Sequence, residues 1–211
     1  MSSTHWPTAH VPHRHRPRTA STRPTAARAV RIIALTLTAL VAVLGGMFII
    51  GNTMAEPGGL AGVGLVALWL LPTVALAALV EWRLDTATPV LTAATVALVV
   101  LSSWAAVPSV GWNSFEDAHG PVRAIIAVAL TGVIGLLGWY RPRMAGWLLV
   151  TVAASPFVGV VLGAMLSAFL GTSTEWSRIS PSLQVASAPA LVIGALYLLS
   201  TLGSPGRRSS S

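Results

Sequence analysis

The chain contains no cysteine and no lysine, and only 9% of its 211 residues are charged. Without cysteine there is no disulfide, thiolate metal site, cysteine nucleophile or S-acylation site, and compartment is left open. Soluble domains run near a quarter charged. A chain that is 54% hydrophobic with mean hydropathy +0.75 is therefore a membrane protein by composition. Its length suits a single bundle. All 13 basic side chains are arginine, against 6 acids.

What is present is a series of six apolar segments, at about residues 32–50, 60–80, 90–107, 122–140, 144–170 and 183–202. Each comes near the roughly 20 residues that a helix needs to cross about 30 Å of hydrocarbon. The expected fold is all-α, a polytopic transmembrane bundle of six spans occupying residues 30–203. Residues 1–29 hold Pro, Ser, Thr, His and Arg with no acid, and are expected to form a disordered basic cytoplasmic tail. Residues 204–211 are expected to form a second, short cytoplasmic tail. A kink is expected at Pro156, inside the longest segment.

The spans are also short of ionisable groups. Segments one, two, three and five have no Asp, Glu, Arg or His between their ends, and the fourth has only Arg123, near its start. Ion-coupled transport, proton pumping and voltage sensing need charge at membrane depth. A b-type cytochrome needs histidines within spans. A membrane metalloprotease needs an HExxH helix, and Ser102, Ser103, Ser155 and Ser167 have no base at their depth to activate them. No cofactor and no catalytic residue is therefore expected. The small polar residues, Thr151 and Ser155 among them, read as helix contacts and relief of the ladder that Pro156 breaks. A polar strip lining a neutral-solute path is the other reading. Gly159 and Gly163 form a GxxxG continued by Ser167, and Gly132, Gly135 and Gly138 recur every three residues. Such stripes let backbones approach, within a bundle or across a homodimer.

Arginine placement sets the expected orientation. With both termini inside, the inner segments hold Arg14, Arg16, Arg18, Arg23, Arg28, Arg31, Arg83, Arg141, Arg143, Arg207 and Arg208, and the outer ones only Arg123 and Arg178. The aromatic residues agree. Trp82, Trp139, Tyr140 and Trp147 fall at the inner interface, and Trp104, Trp112 and Trp176 at or near the outer one. Trp69 alone is mid-span, where it reads as packing between helices. EWRLDTATPVLTAA and GWYRPRMAGWLLV both run Trp, Arg, helix start, as inner turns of polytopic proteins commonly do.

The most loaded stretch is GWNSFEDAHGPVRA, residues 111–124. Pro121 suits a first helical turn. Asp117 or His119 could cap the free N–H groups that follow, and Arg123 could pair with Asp117, Glu116 or Glu56. Read this way, Glu116, Asp117, His119 and Arg123 form a polar cap at the outer face. Read more sharply, the same residues form an outer-face site for a ligand, a partner or, through their oxygen and imidazole donors, a divalent cation. No metal site is expected, because three neighbours on one turn rarely all face one ion. An acidic pair before Gly-Pro and an Arg resembles outer-loop segments of uncharacterised actinobacterial multi-pass membrane proteins, over residues 112–150. The lysine-free, Ala/Val/Leu/Gly/Arg-heavy composition likewise resembles products of GC-rich genomes. This resemblance implies a bacterial membrane location and no particular activity.

In the tail, HVPHRHRPR sets His10, His13 and His15 among arginines. Its natural partner is the anionic inner leaflet, and it lacks the groove-reading elements of a specific nucleic-acid binder. The expected function is a non-enzymatic structural or accessory component of the plasma membrane, partnering another membrane protein. The alternative is a permease, or permease subunit, for a neutral or weakly polar solute, with Pro72 and Pro156 shaping its path. A third is outer-face chemistry around Glu116–Arg123.

Overall fold

A computed structural model describes residues 23–55, 59–105, 116, 121–171 and 181–202. The described residues form helices and no strand: α1 (Arg23–Ala55), α2 (Gly59–Trp82), α3 (Leu84–Ala105), α4 (Val122–Tyr140), α5 (Pro142–Phe169) and α6 (Pro181–Leu202). Helices α1 to α5 are long and apolar enough to cross a bilayer; in α6 the apolar described part is Ser187–Leu202. The tails 1–22 and 203–211, with the histidines and most of the arginines assigned to them, lie outside the described residues.

Two boundaries differ from the sequence reading. Helix α1 has 33 residues, about 50 Å at 1.5 Å per residue, so it outruns the hydrocarbon and carries Arg28 and Arg31 on its first turns. Helix α3 starts at Leu84, ahead of the expected position 90, with Pro89 inside it. A proline removes only the bond from its own nitrogen to the carbonyl four residues back. The helix continues around it, with the Thr88 hydroxyl donating to the Leu84 carbonyl at 3.0 Å.

Two joins are nearly as short as a chain allows. Arg83 alone separates α2 from α3, and Arg141 alone separates α4 from α5. Each arginine N–H closes the helix before it, on Leu79 and Leu137 at 2.8 Å. Each arginine carbonyl opens the next helix, accepting from Ala87 at 2.9 Å and Ala145 at 3.0 Å. The two turns therefore lie at one end of the bundle and Glu116 at the other. Trp82, Trp139, Tyr140 and Trp147 are exposed towards the turn end, and Trp104 towards the Glu116 end.

Helix α4 is the most enclosed and α2 the least. The core is built around α4 from Leu130, Ile134 and Leu137, with Leu91 of α3, Leu149 and Val152 of α5, and Ile193 and Tyr197 of α6. Lipid tails are as apolar as leucine, so helices associate in a membrane through close packing rather than water exclusion. Small residues supply it. Along α1 and α4 the register is antiparallel: Gly45 faces Val128, Gly132 faces Ala42, and Gly135 faces Thr38. Gly146 and Gly194 bring α5 and α6 together. Outward, Leu40, Val43, Leu44, Met47 and Phe48 of α1 and Leu68 and Leu71 of α2 are exposed. An apolar surface of that extent does not belong in water; among lipid tails it costs nothing. The architecture is that of a multi-pass membrane protein.

Candidate functional site

At the Glu116 end, one carboxylate does two jobs. The Arg123 Nε donates to both Glu116 oxygens at 3.0 Å, and Nη2 donates to Oε2 as well. The Arg123 backbone N–H, in the first turn of α4, donates to Glu116 Oε1 at 3.0 Å. Both side chains are enclosed, at 7% and 9% exposure. A guanidinium fork suits this bidentate arrangement. The Pro121 ahead of the helix offers no side-chain cap, so the glutamate supplies the acceptor that the helix end needs. Among the described residues, Glu116 is the counterion of Arg123. Asp117, His119 and Glu56 lie outside the described residues. Among the described residues no group of three His, Asp or Glu side chains is placed to hold a metal.

At the turn end, the two arginine turns are tied to each other. The Arg141 guanidinium donates to Asp85, and through Nη1 to the Thr88 hydroxyl at 3.1 Å. The Tyr140 hydroxyl donates to Glu81 Oε2 at 2.8 Å. These bonds clamp the α2–α3 turn to the α4–α5 turn. Asp85 is almost fully exposed, and solvated pairs contribute little. Asp85→Asn is expected to change stability by less than about 1 kcal/mol, and less in high salt. Thermal unfolding at two salt concentrations checks this, and a loss well above that figure would mean the pair is shielded.

Most hydroxyls between the two ends are spent on their own helices. Thr38, Thr73, Thr95, Ser103, Thr131 and Thr151 each donate to the carbonyl four residues back. Ser155 donates at 2.8 Å to the Val152 carbonyl. That is the carbonyl which Pro156, having no N–H, leaves vacant. Pro156 is buried and α5 runs unbroken through it. Ser102 is different: its hydroxyl is buried without a partner. Gly159, Gly163 and Ser167 are all buried, and a Cβ on Gly159 would stand 2.8 Å from the Ser102 carbonyl oxygen. The stripe is thus occupied inside one chain, with α3 against Gly159.

Loosely seated α2 leaves two cavities. The larger, about 510 Å³, lies between α2, α3 and α4, and Pro72, Ala97 and Leu98 are among its walls. The smaller, about 200 Å³, lies between α1, α2 and α4. Trp69 and Thr73 border both. The Trp69 indole N–H is buried and has no acceptor. A second deep aromatic, Tyr197 of α6, is fully buried and donates to the Gly135 carbonyl at 2.7 Å.

The geometry brings together Glu116 and Arg123, and leaves Gly159, Gly163, Ser167 and Pro156 in a separate helix contact. Sequence reasoning passed over the Glu81–Tyr140 and Asp85–Arg141 ties, the cavity beside Trp69, and Tyr197. The matching Trp-Arg turns carried a signal for the first two. A mid-span indole carried one for the third. Comparison with protein-family models, curated proteins and solved structures finds no match to this chain.

Proposed function

We propose that the chain is a six-span protein of the bacterial plasma membrane, with both termini cytoplasmic, acting as a non-enzymatic accessory component that partners another membrane protein. The Glu116–Arg123 pair carries this reading. The two described charges of the most loaded segment are turned on each other and on the start of the central helix, an arrangement that serves the fold rather than a substrate. The exposed α1 face around Met47 and Phe48 is the surface offered to a partner. The GxxxG stripe is buried within the chain, which favours a different protein over a second copy as that partner. The arginine bias supports the orientation, and the basic tail supplies contact with anionic lipid.

Affinity purification of the full chain from its own membranes is expected to recover one membrane protein in stoichiometric amount, weakened by Met47→Ala with Phe48→Ala. Recovery of the chain alone, together with solute flux in liposomes, would sink the accessory reading. It would favour a permease for a neutral or weakly polar solute, the reading supported by the cavity beside Pro72. Flux that survives Arg123→Ala would further set the permease apart from outer-face chemistry. Tag accessibility that places either terminus outside would refute the orientation.

A further inference from the structure

Charge is unevenly shared between the two ends of the described bundle. At the Glu116 end, Arg123 and Glu116 cancel each other. The turn end gathers Arg83, Arg141 and Arg143 and, because α1 runs antiparallel to α4, Arg28 and Arg31 as well. Among the described residues, the acids that oppose them there are Glu81 and Asp85. Both are engaged: Asp85 pairs with Arg141, and Glu81 accepts from the Tyr140 hydroxyl. Arg83 and Arg143 are exposed. Among the described residues neither guanidinium has a carboxylate partner. The clamp thus holds the two turns together and leaves an uncommitted cation on each side of it.

Exposed tryptophans set the depth of these cations. Trp82 adjoins Arg83 in sequence, and Trp147 lies one helical turn beyond Arg143 on the same face of α5. Amphipathic rings settle at the headgroup level of a bilayer. Arg83 in its turn and Arg143 at the start of α5 lie on the water side of those rings, where lipid phosphates stand. A guanidinium fork matches phosphate oxygens bidentately. A zwitterionic headgroup brings its own ammonium to cancel its phosphate. Surplus positive charge at this level therefore suits a phosphodiester without an amine, and the exposed rings beside it suit the glycerol and upper acyl chain below.

We propose that the turn end of the bundle is a docking surface for anionic phospholipid, with the Arg83 and Arg143 guanidiniums donating to headgroup phosphate. The Glu81–Tyr140 and Asp85–Arg141 ties hold the two turns, and so the two donors, in place. The surface belongs to the folded bundle and is separate from the basic tail. It rests on the membrane placement of the preceding reading, and not on the orientation or the protein partner.

The test reconstitutes the full chain in liposomes of equal phosphatidylglycerol and phosphatidylcholine, extracts it in mild detergent and counts the retained lipids by native mass spectrometry. Phosphatidylglycerol is expected in excess. Arg83→Gln with Arg143→Gln should lower that excess about five- to tenfold, since an arginine near an anionic surface is worth up to about fivefold. Its thermal unfolding in phosphatidylcholine alone should match wild type. Replacing Arg14, Arg16 and Arg18 with Gln removes more charge, from the tail, and should leave most of the excess. Equal retention of the two lipids by wild type overturns the proposal. So does an excess that survives the double replacement, or one lost with the tail arginines instead. A double variant already destabilised in phosphatidylcholine would show that these arginines serve the fold, and overturns it too. Each of those results leaves the accessory reading standing, whereas a chain that will not enter liposomes overturns the membrane placement on which both depend.

Discussion

Arg123→Ala is expected to destabilise the purified protein by about 3–5 kcal/mol, because it strands the Glu116 carboxylate in an enclosed site. Glu116→Gln should cost nearly as much. It keeps an oxygen for the Arg123 backbone N–H but leaves the guanidinium unpaired. The informative variant is the double replacement Glu116→Leu with Arg123→Met. Apolar residues of similar volume often restore what a broken buried pair loses, so most of the stability should return. The remaining deficit should be about 1 kcal/mol, the usual worth of an N-terminal cap, since leucine offers the α4 N–H nothing. Unfolding in detergent by graded SDS measures all three. Singles within about 0.5 kcal/mol of wild type, which is the scale of ordinary surface changes, would show that the pair is solvated. A double variant as poor as the singles would show that the charges themselves, and not their mutual cancellation, hold the loop to α4. Stability raised on losing either charge would turn attention to a ligand at the Glu116 end of the bundle.

How far these features could be read from residues alone depends on range. The all-α character and the apolar segments follow from composition and run length, which are local, and α1 to α5 appear as helices long enough to cross a bilayer. A charged side chain near the start of α4 needs a counterion, and that too was legible. Which acid would serve was not: Glu116 and Asp117 are adjacent and chemically alike, and no local pattern sets Glu116 against the Arg123 guanidinium. Helix α3 begins six residues ahead of the apolar segment, at Leu84, because a proline in the early turns removes a single bond and the polar turn before it stays helical. Arg141 meets Asp85 across a sequence separation that no periodicity spans. Tyr197 was invisible for a different reason. In a run of leucine and alanine a lone tyrosine reads as one more bulky residue, and only the glycines of α4 reveal where its ring goes.

Gly138→Ala should be among the most damaging single-methyl additions in the bundle. Its Cβ would fall on Cζ of the Tyr197 ring, with two more ring atoms within 2.6 Å. An aromatic ring has no flexible end to move aside, and this one is fully buried and tethered, its hydroxyl bonded to the Gly135 carbonyl. Any shift that relieves the methyl breaks that bond or drives α4 from α6. Overpacking of this kind costs about 1–3 kcal/mol, and loss of an interhelical hydrogen bond in a membrane adds about 0.6–2 kcal/mol. Tyr197→Phe should show the second part alone. Removing the ring should cancel the first: in the background of Tyr197→Val, itself destabilised by a cavity, adding Gly138→Ala should cost little or even fill space. A double-mutant cycle built from these variants should therefore give a coupling of about 1–3 kcal/mol, the range for residues in contact. Additive effects would mean that α4 and α6 do not meet at this point. The glycines of α4 would then owe their three-residue spacing to another neighbour, for which the Thr38 side chain against Gly135 is the next candidate to vary.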